Sequence, residues 1–260
     1  MLAAAVALLL ALAAPAFGAK IEGTDLGDFL AGAATEDEML AKGGDDSVFG
    51  LGGEDRIDGG PGDDRMTGDG TCLAGAVRPT DCDDADDRSG DNDVLRGGDG
   101  DDILLGGRGN DFLDGGAGVD SVSGDAGNDE IDAGADDDEI DGGTGLDRID
   151  AGDGDDWVAT GPGTDRIDAA AGDDLIATES GNDRIDGGAG HDEISSGSGK
   201  DRMDAGPGRD LVESGAGNDT IDARDGARDM VDCGPGRDAV RADSRDRLRR
   251  CERVNSASRD

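Results

Sequence analysis

Aspartate returns through this chain at a fixed interval. Asp28, Asp37, Asp46, Asp55 and Asp64 stand nine residues apart. The series resumes at Asp93 and runs in step through Asp102, Asp111, Asp120, Asp129, Asp138, Asp147, Asp156, Asp165, Asp174, Asp183, Asp192, Asp201, Asp210 and Asp219, then slips by one residue to Asp229 and Asp238. Two residues after each comes an aliphatic or a methionine, from Leu30 and Met39 through Leu95 and Ile149 to Val231 and Val240. Carboxylates can act as acids, bases or ligands of hard cations. Acid–base catalysis needs a pair whose two members sit in different environments. Twenty-two equivalent aspartates describe a row of like sites instead, and like sites suit ions.

The other chemistry-bearing residues point to no enzyme. The one histidine, His191, fills a variable place in the repeat and reads as structural or solvent-facing. No HExxH, GxSxG or Walker sequence occurs, and "SGSGKD" around Lys200 lacks the hydroxyl residue and upstream glycine of a phosphate loop. The many G-x-G pairs never gain the third glycine of a dinucleotide site.

What must position the aspartates follows from the period. In a nine-residue unit with Asp sixth and the aliphatic eighth, the fourth place is usually glycine (Gly62, Gly100, Gly118, Gly145, Gly163, Gly190). The first two are often Gly-Gly, as at Gly97-Gly98 and Gly187-Gly188. Glycine and Asp/Asn in the first six places predict a turn with unusual backbone angles. The last three predict a short strand with one inward aliphatic and two outward residues. So short a strand is stable only in a stacked ladder. The closest echo comes every eighteen residues: Asp147-Arg148-Ile149-Asp150 returns at 165–168, at 183–186 and, with Met203 for Ile, at 201–204. Two strands and two turns per coil explain it. The fold class is therefore all-β, a solenoid of two parallel sheets with eighteen residues per coil.

Composition alone would predict disorder. Acids number 64 and bases 24, for a formal net charge of −40, and aromatics make up 2%. Such a surface repels phosphate, so nucleic acid is excluded as a partner. Residues 1–19, an apolar run with Pro15 and small residues after it, read as a secretory signal peptide, with no membrane span once it is removed. Localisation is thus secreted, in an oxidising and calcium-rich medium. The chain divides into the signal (1–19), a first repeat block (20–69), an acidic insertion (70–92), a main repeat block (93–240) and a basic segment (241–260). The insertion holds Cys72 and Cys82, placed for a local bridge. The basic segment carries seven arginines and four acids and suits a cap over an open sheet edge. Cys233 and Cys251 are eighteen residues apart, one coil, and neighbouring coils about 4.8 Å apart permit a disulfide that pins this cap.

"GGRGNDFLD" (106–114) and "GGDGDDILL" (97–105) carry every fixed place of G-G-x-G-x-D-x-U-x, and on these units the chain resembles the repeats-in-toxin (RTX) family over roughly residues 23–240. "GAATEDEML", "AKGGDDSVF" and "SGDNDVLR" depart from the pattern in their glycines. The resemblance implies a parallel β-roll with Ca²⁺ in rows between turns, held by the sixth-place aspartates of successive coils and by turn carbonyls. The chemistry agrees. One aliphatic per nine residues cannot offset the entropy of ordering them, and stacked carboxylates need neutralising. Ca²⁺ accepts six to eight oxygens in flexible geometry, whereas zinc would ask for His or Cys. Pairing aspartates eighteen residues apart within each unbroken run gives about 16 sites. These would supply roughly +32 against the −40 of the chain.

The outer faces differ. One carries Arg148/Asp150, Arg166/Asp168, Arg184/Asp186 and Arg202/Asp204, an Arg ladder beside an Asp ladder, and cross-strand pairs of opposite charge stabilise modestly. The other carries Ile103/Leu105, Trp157/Ala159, Leu175/Ala177 and Leu211/Glu213 and could dock a cell-surface polymer, another copy or an extracellular protein. The expected function is a secreted calcium-binding structural or interaction module. The alternative is a detached accessory module of an extracellular protease, lipase or polysaccharide-modifying enzyme.

Overall fold

The computed structural model describes residues 18–69 and 90–256, together with the backbone of 7–10, 71–72 and 82–83. All regular structure among the described residues is strand. The chain forms two units, Met1–Ala133 and Gly134–Asp260.

In the first unit one sheet runs Asp28–Ala31, Ser47–Leu51, Arg65–Asp69, Ile103–Arg108, Ser121–Ala126, with Ala7–Leu10 beside Asp28–Ala31. The other runs Lys20–Glu22, Glu38–Leu40, Arg56–Pro61, Val94–Asp99, Phe112–Ala117, Glu130–Ala135. Consecutive strands of the chain alternate between the sheets and pair in parallel with the strand one coil away. Val94↔Phe112 and Ile103↔Ser121 show the eighteen-residue register. The acidic insertion does not end the stack. Arg56 pairs with Val94 and Arg65 with Ile103, so the coils on either side of it are direct neighbours. At its base Thr71–Cys72 lies antiparallel to Cys82–Asp83, with Cys72 opposite Cys82. Their expected bridge lies outside the described side chains, as does most of the candidate signal segment.

The second unit repeats the arrangement. One sheet runs from Glu139–Asp141 through Trp157–Thr160 and Leu175–Thr178 to Met230–Asp232 and Arg247–Arg249. The other runs from Arg148–Asp153 through Arg166–Asp168 to Ala239–Ala242 and Arg253–Ser256. Both units are parallel β-solenoids of about eighteen residues per coil. The basic C-terminal segment supplies the last strand of each sheet. Asp232 anchors it by accepting from Arg250 Nε and lies 3.7 Å from Arg249.

All twenty-two eighth-place residues are buried to 2% exposure or less. They form the line of the core between the two sheets of each unit, widened by buried first-place alanines and, in the first unit, by Phe29 and Phe49. The strands reach further into the turn than three residues: Arg148–Asp153 is six long and buries Ala151 behind Ile149. The outward charges of the second unit form the expected Arg ladder beside an Asp ladder, with opposite-charge cross-strand pairs at Asp222/Arg241 and Asp232/Arg249. Arg148, Arg166, Arg184 and Arg202 are successive partners, as are Asp150, Asp168, Asp186 and Asp204. A register locked at one coil puts identical places side by side. Burial and the neighbouring Asp204 and Asp168 push the Asp186 carboxyl up.

The turns explain the glycines. Gly98 has φ +121°, and a Cβ there would run into the Gly60 carbonyl one coil back. At the same second place Ala170 holds the left-handed backbone at φ +62° without being glycine. Left-handed backbone costs an L-residue about 1–2 kcal/mol. Ala170→Gly is therefore expected to stabilise the folded chain by about 1 kcal/mol, read as a higher denaturant midpoint at unchanged slope.

Cys233 and Cys251 form a disulfide with Cα atoms 5.1 Å apart, joining strands one coil apart near the C-terminus. Its reduction is expected to cost about 2–4 kcal/mol, confined to the end of the stack. Hydrogen exchange should quicken in Arg247–Arg249 and Arg253–Ser256 and stay unchanged in Trp157–Thr160.

Candidate metal centre

The twenty-two sixth-place aspartates are all at 4% exposure or less. Each follows a turn and precedes the inward aliphatic by two residues, so the pleat carries both side chains into the same interior. Successive aspartates are linked. Asp102 Oδ1 accepts the backbone N–H of Asp64 at 2.7 Å, and Asp174 Oδ1 that of Asp156 at 2.9 Å. The pattern crosses the insertion, where Asp93 takes the N–H of Asp55 at 2.6 Å. It also crosses the one-residue slip, where Asp229 takes that of Asp210 and Asp238 that of Asp219. The row is thus longer than unbroken eighteen-residue spacing suggested.

The second carboxylate oxygen is the informative one. In the first unit Oδ2 of Asp46, Asp55, Asp64, Asp93, Asp102 and Asp111 is buried without a hydrogen-bond donor among the described residues. In the second unit the same holds for Asp156, Asp174, Asp183, Asp192, Asp210, Asp229 and Asp238. Beside Asp102 the reason is visible. A Cβ at Gly97 would meet both Asp102 Oδ2 and the carbonyl of Gly115 from the next coil. Two acceptors face one small space with no donor between them. A buried acceptor left so costs about 1–3 kcal/mol, more when charged, unless a cation or a proton fills the space.

The electrostatics agree. Burial, reinforced by the charges of Asp93, Asp37 and Asp69, pushes Asp55 up to about 9 against the partial relief of the Asp37 N–H. Asp93 is pushed to about 8, and Asp64, Asp102 and Asp192 to about 7, burial again dominating. Asp46, Asp111, Asp174, Asp201, Asp210 and Asp229 reach about 6 for the same first reason.

Some places differ. Asp28 Oδ2 accepts from Thr24, and Asp37 Oδ2 from the Ala33 N–H at 2.7 Å. Asp201 Oδ2 lies 3.0 Å from the Ser196 hydroxyl. Ser196 belongs to a set the sequence reading passed over. The buried first places of the second unit include Ala151, Thr160, Ala169, Thr178, Ser196, Ala205 and Ser214, small residues with hydroxyls on one sheet and alanines on the other. Their nine-residue alternation is visible in the sequence, but a first place rich in glycine reads as turn, which hides its inward, strand-like burial. His191 takes a fifth-place role: its N–H donates to Asp173 Oδ1 and its Nδ1 accepts the Arg209 N–H at 3.0 Å.

Among the described residues no three His, Cys, Asp or Glu side chains gather at one point. The donors are carboxylate oxygens, one or two at a time, with backbone carbonyls. That set fits a hard, oxygen-seeking cation of flexible coordination and not zinc. A parallel β-solenoid lined by rows of buried carboxylates defines the class: a parallel β-roll of stacked coils. Segments 40–70, 89–122, 114–149, 141–176, 159–194, 168–203, 178–212 and 195–228 match the RTX calcium-binding nonapeptide repeat. Together they span well over half of the chain, which belongs to that family of calcium-binding repeats. No curated protein matches the chain.

Proposed function

We propose that this is a secreted structural or interaction module that becomes ordered by holding Ca²⁺ between successive coils. The sixth-place aspartates and turn carbonyls serve as ligands. The observation that carries this is the row of buried Oδ2 atoms with no donor. Calcium supplies the charge that lets them stay ionised inside the stack; the chain supplies the oxygens, the spacing and the glycine turns that keep side chains out of the space. Registers across the insertion and the slip add the pairs Asp55/Asp93, Asp64/Asp102, Asp210/Asp229 and Asp219/Asp238 to those counted from spacing. The capacity then rises from about 16 to about 20 ions. Native mass spectrometry during calcium titration tests this. Stepwise uptake approaching that number supports it, and a chain that stays metal-free in millimolar calcium overturns it.

Export is supported by the apolar N-terminal run and by the Cys233–Cys251 disulfide, which belongs to oxidising compartments. An accessory role beside an extracellular enzyme is the second reading. It is favoured by Trp157 and Leu175, cross-strand partners left 42% and 43% exposed. Trp157→Lys should abolish capture of a hydrolase from calcium-containing medium if that face docks one, and leave retention on cell-wall polymer unchanged.

A further inference from the structure

A second kind of site lies on the turn edge of the second unit. Fifth places there face solvent and stack, each N–H donating to the side chain one coil back: Asp155 to Asp137, Asp173 to Asp155, His191 to Asp173. After His191 the sign of the row reverses, with Arg209 and then Arg228. On the adjoining strand face Leu211 pairs with Met230 and Met230 with Arg247. These six residues line a groove of about 390 Å³ whose floor is formed by Asp210 and Asp229.

The arginines are the anomaly. Acids outnumber bases 64 to 24 in this chain. Yet the guanidinium groups of Arg209, Arg228 and Arg247 have no hydrogen-bond or ion-pair partner among the described residues, whereas nearby Arg245 donates to the Gly226 carbonyl and Arg224 is paired with Asp222. Arg209 and Arg228 hold the fifth place of consecutive coils, about 4.8 Å apart, and Arg247 stands in the next coil on the strand face, as the partner of Met230. An arginine fork matches an oxyanion bidentately. Thioether and isobutyl flanks at Met230 and Leu211 add an apolar wall for the body that bears it. Asp210 and Asp229 do not oppose such a ligand when their charge is held by calcium.

We infer that this groove binds an oxyanion, a sulfate, phosphate or carboxylate group, through Arg209, Arg228 and Arg247. The source is either a free anion or a group carried on a polymer. The test uses the full calcium-loaded chain, titrated calorimetrically with sodium sulfate, with a sulfated dextran oligomer, and with neutral dextran. Binding of sulfate and oligomer alike assigns a small-anion site; binding of the oligomer alone assigns a polymer-borne group; neutral dextran should not bind. Arg209→Gln/Arg228→Gln/Arg247→Gln should weaken binding at least tenfold. Arg228→Lys, which keeps the charge but not the fork, should lose less. Arg166→Gln/Arg184→Gln/Arg202→Gln removes equal charge from the sheet face and should bind as the parent does. The inference fails if neither sulfated probe binds, if the groove variant binds like the parent, or if the sheet-face variant loses as much. Circular dichroism in calcium confirms that each variant is folded. It rests on the calcium reading only through Asp210 and Asp229. A chain that keeps its fold in chelator and still takes the oligomer would sink the ion rows and leave the groove standing.

Discussion

In excess chelator at pH 8 the chain is expected to give the far-UV circular dichroism of an unordered polymer, and in the same chelator at pH 5 to regain a β-sheet spectrum. The reason lies in the raised carboxyls. An unfolded aspartate titrates near 3.9, whereas Asp46, Asp111, Asp174, Asp201, Asp210 and Asp229 are pushed to about 6 in the fold, Asp64, Asp102 and Asp192 to about 7, Asp93 to about 8 and Asp55 to about 9. A folded pKa above the unfolded one means that the fold takes up protons. The stabilisation is complete below about pH 4 and fades as pH climbs through 6 to 9. At pH 8 most of these groups would have to be ionised, buried and unpaired, so folding without metal is strongly disfavoured. At pH 5 protons fill the role given to calcium, and the formal −40 of the chain shrinks as well. With calcium present the trend should invert, because protons then compete for ligand oxygens. A β-sheet spectrum that persists in chelator from pH 5 to 9 would remove the case for ions between the coils.

The period made most of this fold legible. Nine residues with one obligatory aspartate and one obligatory aliphatic leave few options. Each sixth-place aspartate from Asp28 to Asp238 and each eighth-place residue from Leu30 to Val240 is buried, as the alternation of a short strand requires. What the sequence hid is of two kinds. One is continuity: the interval from Asp64 to Asp93 looks like a break, but an excursion whose ends return to one place leaves the ladder intact, and Asp55 meets Asp93. Register depends on where a loop's ends lie, which spacing along the chain does not report. The other is neighbour identity. The Arg and Asp ladders could be read from the eighteen-residue echo, but past the one-residue slip the register sets Asp222 against Arg241 and Asp232 against Arg249, pairs that the echo does not report. The hydroxyls of Thr178, Ser196 and Ser214, which reach a carbonyl one coil on, escaped notice because they fall where a turn was expected to begin.

Asp102→Asn is expected to act in opposite directions with and without calcium. Asp102 Oδ1 accepts the Asp64 N–H at 2.7 Å, and an asparagine oxygen can keep that bond. Oδ2 has no donor and shares its space with the Gly115 carbonyl. An amide nitrogen placed there donates where the carboxylate could only repel, and it removes the charge felt by Asp64 and Asp120. In chelator the variant should therefore fold up to a higher pH than the parent, the gain being on the order of 1–3 kcal/mol. In saturating calcium the same change takes one anionic oxygen from an ion and sets an N–H against it. Thermal stability should fall below that of the parent, and the calcium midpoint should move up severalfold. Circular dichroism melts of both proteins in both buffers are sufficient. Were Asp102 only a hydrogen-bond acceptor in an acidic interior, relief of buried charge would stabilise the variant in both buffers. A crossing of the two stabilities is the outcome that requires a cation at this oxygen.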